Sequence, residues 1–400
     1  MTNFDFRNCP VCSHDKSEVI YQQDFKNILG ISMNVFSQKI AICRNCGMVF
    51  TNPFVSDCDL NNYYSNMSSY EYDDNNNEYP EVHQKRSFNQ FNYILSHIDR
   101  NDLNLSVLDI GCALGYTLFL FKKMGYDVLG LEPSPKNKKI AKEKYGVEIE
   151  TRFLNRDGLD GRLFDIIILS HVAEHLKYPL EIAKNIHNIL AENGLLFIET
   201  PDIDFFDERD LYQFSFEHIN YFNIDSLKNL FQQADFELLD SKIFYNDKST
   251  APFYPTLGTI WKKGKEKKPL LNHFETNKIT INKYIKLINN FRNELGCKIE
   301  NIISSNQRIA LWAAGTLTSL LFSQTNLEKG NIRAIFDNDH KKHGQSMNGI
   351  PIFKPILTKD FFAKFEIDSI IIGSWSSQDE IYESIKFLEL EGIKLYKLFD

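Results

Sequence analysis

Val107-Leu-Asp109-Ile-Gly111-Cys-Ala-Leu-Gly115-Tyr-Thr-Leu-Phe119 passes from a short apolar run through a tight glycine turn into the start of a helix. The turn reads Asp-x-Gly-x-x-x-Gly and departs from the dinucleotide fingerprint G-x-G-x-x-G. The glycine that lets backbone approach a pyrophosphate is replaced by Ala113, flanked by Cys112 and Leu114. A pyrophosphate fits poorly there. Glu132 lies 21 residues after Gly111, at the end of the next apolar run, where a carboxylate accepts hydrogen bonds from two ribose hydroxyls. The pair indicates a ligand with ribose and no phosphate.

Working outward, the pattern predicts strands at 106–110, 127–131, 147–150, 164–169 and 194–199, alternating with helices at 116–124, 135–145 and 179–190. Such alternation predicts an α/β fold with a parallel sheet covered on both faces. A second α/β run is expected from strands at 308–312, 332–336, 369–372 and 395–398, with helices at 317–323 and 380–388.

The 400 residues suggest two or three domains, and 43% apolar content suffices for buried cores. A formal charge of -8, from 45 Lys+Arg against 53 Asp+Glu, lacks the basic excess that drives phosphate-backbone binding, so nucleic acid is not expected as a partner. The longest apolar-leaning run, Ile309 to Phe322, is 14 residues and carries Gly315, Thr316, Thr318 and Ser319. That is short of the about 18–20 residues a membrane span needs. The first residues, Met-Thr-Asn-Phe-Asp-Phe-Arg, show neither a basic nor an apolar leader segment, so a reducing cytoplasm is expected.

In that compartment cysteine means thiols or metal. Cys9-Pro-Val-Cys12 and Cys43-Arg-Asn-Cys46 are two CxxC pairs, while Cys58, Cys112 and Cys297 stand alone. Two such knuckles supply four thiolates for a closed, tetrahedral Zn2+ site that folds its segment and performs no chemistry. A redox CxxC is the alternative, but it would sit at a helix start inside a βαβ unit. Tyr63 to Asn77 reads as an extended loop, with Tyr63, Tyr64, Tyr70, Tyr72 and, just beyond, Tyr79 as surface groups or a flap over a ligand. Gln84 to Asp99 has the 3/4 apolar spacing of an amphipathic helix, Lys262 to Pro269 reads as a basic link, and 272–304 as a long helix. The expected division is a zinc-binding module at 1–62, a cofactor domain with its flap and helix at 63–264, and a linker helix with a C-terminal Rossmann-like domain at 265–400.

Four features in order resemble the class I S-adenosylmethionine-dependent methyltransferases. They are the 109–115 loop, Gly130-Leu-Glu132-Pro-Ser, the run from Phe164 through Ser170-His171-Val-Ala-Glu174-His175, and Gly194 to Pro201. The resemblance implies that Asp109, Gly111, Cys112 and Gly115 hold the methionine part of the cofactor, Glu132 its ribose, and Ser170 and His171 its adenine or methyl-transfer side. The order of knuckles, cofactor unit and second α/β unit resembles the three-domain sugar C-methyltransferases. That likeness implies a nucleotide-linked keto sugar between domains.

Leu211 to Tyr221 contains Glu217-His218 in a loop at the carboxyl end of the sheet, where a carboxylate beside an imidazole can act as general base. By the resemblance Glu217 and His218 are the deprotonating pair and His175 a third member; Ser215 stands where that family has a tyrosine. Tyr221 is a further candidate for carbon methylation. In the C-terminal unit, Gly315 and Asp337 repeat the turn and the strand-end carboxylate, and they either receive the nucleotide of the substrate or remain as scaffold. The expected activity is methyl transfer from S-adenosylmethionine to carbon or oxygen of a nucleotide-activated sugar. The alternatives are O- or N-methylation of another small metabolite or lipid-linked glycan, and a cofactor-binding partner protein without activity.

Overall fold

A computed structural model describes residues 4–66, 79–99, 105–154, 161–208, 211–246, 254–264, 268–356, 358–375 and 377–399. The central sheet has seven strands, in the spatial order Phe236–Phe244, Thr256–Lys263, Leu190–Pro201, Phe164–Ser170, Ser106–Ile110, Asp127–Leu131, Ile149–Glu150. Thr256–Lys263 alone runs antiparallel to its neighbours. Strand order reverses between Ser106–Ile110 and Phe164–Ser170, so their carboxyl ends open a crevice at the switch point of the sheet. Both faces are covered by helices, as the doubly apolar strand 164–170, with Phe164, Ile166, Ile167, Ile168 and Leu169 all buried, requires.

A six-stranded sheet follows, in the order Ser346–Met347, Ile350–Phe353, Asn331–Phe336, Arg308–Trp312, Ser369–Ile372, Lys394–Lys397, parallel except for the first pair. An antiparallel four-stranded sheet joins Ser17–Lys26, Val35–Cys43 and Val49–Thr51 to a short strand, Asn220–Tyr221, that comes from the candidate base loop. The helix Phe274–Ser304 links these sheets. Its Ile281, Tyr284, Ile285 and Ile288 pack on Ile40, Ile42 and Val49, and its Leu295, Ile299 and Ile302 on Ile309, Leu311 and Ile335.

Three local expectations change. The segment after Asp57 is a helix, Asp57–Asn66, because Tyr63 packs edge-on against Phe216 at 4.9 Å and so gains a buried partner. Tyr70 and Tyr72 lie outside the described residues, as does the side chain of Tyr64. Lys262 and Lys263 belong to a strand, held by pairing with Glu237 and Phe236, so the basic segment is not all link. The amphipathic helix spans Glu81–Leu95.

Candidate functional site

At the switch point the 111–115 turn takes the backbone that only small residues tolerate. Gly111 has φ +76° and donates its N–H to the Leu131 carbonyl at 2.8 Å; a Cβ there would meet Val172 at 2.5 Å. Glu132 is buried and fixed by the same turn. One carboxylate oxygen accepts the Ala113 N–H at 3.1 Å, and the other accepts the Ser134 N–H at 3.0 Å and the Asn137 amide at 3.4 Å. Its carboxylate lines the cleft, where an acceptor-only group meets hydroxyl donors.

The cleft has a volume of about 240 Å³ and is lined by Gly111, Ala113, Glu132, Asn137, His171 and His175, among apolar walls that include Val172, Leu154 and Ile182. Asp109 sits beneath it, and burial pushes its carboxyl up to about 7, opposed by Arg86 and reinforced by Glu132. Gly115, with φ +69°, starts the helix Tyr116–Lys123.

Two expected cleft residues face elsewhere. The Cys112 thiol is turned into the core, over Gly130, where a Cβ would come within 2.4 Å of its sulfur; burial raises its pKa well above the usual thiol range. Ser170 joins a polar network behind the cleft, accepting the Gln90 amide at 2.8 Å beside Glu199.

At the acceptor end the structure brings together His171, Glu174, His175, Glu217 and His218. His171 has φ +53°; its Nδ1 is 3.3 Å from Glu174 and its Nε2 3.6 Å from Glu199. Burial disfavours the charge on His171, but the two carboxylates outweigh it and raise its pKa. Burial likewise opposes the charges on Glu174 and Glu199, and His171 nevertheless holds both down at about 2. The His175 and His218 rings meet edge to face at 4.9 Å. His175 Nδ1 donates to the Glu217 carbonyl at 3.1 Å and His218 Nδ1 to the Gln213 carbonyl at 3.2 Å, so each neutral ring carries its lone pair on Nε2. Burial, with His175 beside it, lowers His218 to about 3. Glu217 Oε1 accepts the Tyr63 hydroxyl at 3.1 Å. Tyr221 is not part of this group. Its hydroxyl donates to the His218 carbonyl at 2.7 Å and meets Thr51, and burial raises its pKa well above the usual phenol range, so it holds the loop's backbone.

Sequence reasoning missed the parts that hold this loop. Arg7 donates to the carbonyls of Lys177 and Ile219, both at 2.6 Å, and to Asn220 Oδ1 at 2.9 Å. Gln38 reaches the Ser215 carbonyl at 2.7 Å. A lone arginine near the amino terminus carries no spacing signal. Glu174 and Glu199 were equally hidden, because apolar periodicity does not mark a charge in a core.

The second α/β unit repeats the carboxylate-to-turn bond. Asp337 accepts the Ala314 N–H at 2.7 Å, the Asp339 N–H at 2.8 Å and the Lys342 ammonium at 2.9 Å, while Gly315 precedes the helix Thr316–Gln324 and faces open space. At the amino terminus Cys9 and Cys46 sulfurs lie 3.6 Å apart and those of Cys12 and Cys43 3.5 Å apart, with all four within 4.8 Å of one another. Those separations are far beyond a disulfide bond and close to the ~3.8 Å edge of a Zn–S4 tetrahedron.

Residues 72–241 match the family model described as a methyltransferase domain. The likeness is to a methyltransferase domain and covers less than half of the chain. Residues 305–397 match a family described as C2185-like, N-terminal. Ubiquinone biosynthesis O-methyltransferase of Ruegeria pomeroyi is 30% identical over 107 residues, 26% of this chain and 43% of that protein. The enzyme of the same description from Rhizobium johnstonii is 34% identical over 101 residues, 24% and 41% respectively. The chain thus spans less than half the length of these relatives. Among solved structures, Burkholderia thailandensis 1,6-didemethyltoxoflavin-N1-methyltransferase, with bound 1,6-didemethyltoxoflavin and S-adenosylhomocysteine, is 17% identical over 57% of this chain and 96% of that one, with a TM-score of 0.41. Among the described residues no helix is long and apolar enough to cross a membrane.

Proposed function

We propose that the chain is a methyltransferase that moves a methyl group from S-adenosylmethionine to a nucleotide-activated sugar. The observation that carries this reading is the cleft joining Gly111 and Glu132 at one end to His175, beside His218 and Glu217, at the other. The bound cofactor supplies an electrophilic methyl on a sulfonium. The donor set fits it, since Glu132 accepts hydroxyl donors while the turn, with Ala113 in place of glycine, offers no pyrophosphate cradle. Holding donor and acceptor in line contributes much of the acceleration. His218 presents its Nε2 lone pair to remove the acceptor's proton, and Glu217, positioned by Tyr63, supports it.

In the same reading residues 1–62 form a module folded around Zn2+ on Cys9, Cys12, Cys43 and Cys46, with 63–264 and 265–400 as the other two units. Gly315 and Asp337 mark the place for the nucleotide, with Lys342 as the nearby cation. A second reading, O-methylation of a small hydroxylated metabolite, is favoured by the names of the relatives matched over the cofactor segment. Mass spectrometry of products formed from S-adenosylmethionine with a panel of nucleotide sugars, alongside phenolic acceptors, separates the two. Deuterium exchange beside a ketone would further support carbon methylation. Absence of cofactor binding by calorimetry would overturn both.

A further inference from the structure

We infer that Glu174, His175 and His218 form a divalent-cation site at the acceptor end of the cleft. One donor atom from each residue lies within 4.8 Å of the other two. An ion with bonds of about 2.0–2.2 Å asks such donors to close in by at most about 1.5 Å. Both imidazoles are already oriented for it. Their Nδ1 atoms donate to the backbone carbonyls of Glu217 and Gln213, which fixes the tautomer with the lone pair on Nε2, as second-shell partners do for metal-binding histidines.

Glu174 supplies the independent observation. The residue is 2% exposed, yet its Oε1 accepts no hydrogen bond, a costly state for a buried carboxylate. His171 is near, at 3.3 Å, and outside hydrogen-bonding geometry. A donor set of two imidazoles and one carboxylate suits Zn2+, Co2+, Fe2+ or Mn2+ and leaves coordination positions open. Because His175 lines the cleft, those positions face the acceptor, and their ligand would be a hydroxyl or ketone oxygen. This last step rests on the methyltransferase reading. With a cation bound, the His218 lone pair is spent on the metal, and coordination acidifies the acceptor in place of direct proton removal.

Co2+ is the probe, titrated into full-length protein that has first been given one equivalent of Zn2+ for the four cysteines. The expected result is one further equivalent of Co2+ with visible d–d bands and no thiolate charge-transfer band. His218→Ala and Glu174→Gln should each weaken that uptake at least tenfold. No second equivalent in the wild type, bands of thiolate character alone, or undiminished uptake in a variant that still binds S-adenosylmethionine would overturn the site. Should His218→Ala fail to fold, His218→Asn and the wild-type titration decide the matter. Cofactor binding, measured by calorimetry on the same samples, reports separately on the methyltransferase reading.

Discussion

Glu132 and Asp337 hold equivalent places in the two α/β sheets, each at the end of the second strand and each accepting the N–H of a turn residue, Ala113 or Ala314. Asp337 is paired with Lys342, while Glu132 accepts the Ser134 N–H and the Asn137 amide and lines the cleft. Glu132→Gln should weaken S-adenosylmethionine binding about 10- to 100-fold, the scale of one or two hydrogen bonds to a charged acceptor, as read by calorimetry. Gly111→Ala should do at least as much harm, since φ +76° and the 2.5 Å approach to Val172 leave no room for a methyl. A second residue-scale effect concerns pH. Burial pushes the Asp202 carboxyl up to about 7, with repulsion from Asp204 and Asp225 outweighing part of the help from the Asp204 N–H it accepts. A folded-state pKa above the unfolded value of about 3.9 means the native state keeps the proton longer, so stability declines as pH rises from about 4 to about 7. Asp202→Asn retains the capping oxygen and removes that cost. Thermal melts should show the variant gaining on the wild type between pH 5 and pH 8, by on the order of 1–3 kcal/mol.

Strands 106–110, 127–131, 308–312 and 369–372 were legible to the residue, because buried parallel strands are short apolar runs between turn signals. Phe236–Phe244 was not legible. Most of its middle is exposed, carrying Glu237, Asp240 and Lys242, and only its pairing with Thr256–Lys263 makes it a strand. The candidate loop at 211–222 was legible in its Glu-His pair and illegible in its support. That support comes from a sheet more than 150 residues away in sequence, through Gln38 to the Ser215 carbonyl and Thr51 to the His218 carbonyl. Arg7 ties this loop to the turn that carries His175, reaching the carbonyls of Lys177 and Ile219 at once. Burial lowers its guanidinium to about 9 and leaves it charged at neutral pH. Arg7→Ala would strand those carbonyls in the interior, at a cost of about 2–4 kcal/mol. Its second expected effect is kinetic. The rate of transfer should drop while cofactor affinity stays near the wild-type value, because among the described residues the side-chain hydrogen bonds of Arg7 go to Leu176, Lys177, Ile219 and Asn220 and not to the Glu132 end of the cleft.

The whole molecule is organised so that the cofactor end and the acceptor end depend on different parts of the chain. Glu132 and the glycine turn stand at the ends of strands of the seven-stranded sheet, whereas the loop bearing Glu217 and His218 is completed by the cysteine-bearing module and its four-stranded sheet. The helix Phe274–Ser304 then packs the same module against the C-terminal unit, and Ser319 and Gln324 donate to the carbonyls of Lys26 and Asp24. The four thiols therefore lie far from the chemistry in sequence and close to it in mechanical consequence. Removing the proposed Zn2+ from them with a chelator, or introducing Cys43→Ser, should loosen strand Val35–Cys43 at its end, and with it the hold of Gln38 and Thr51 on the loop. Methyl transfer should fall by at least about tenfold, the effect of misplacing a reacting group by roughly an ångström. S-adenosylmethionine affinity should change by less than about threefold, under 1 kcal/mol. Calorimetry with the cofactor and product mass spectrometry on the same metal-stripped sample make the comparison. Equal loss of both would mean that the module supports the seven-stranded sheet as a whole; turnover that survives stripping would show that the loop is held without it.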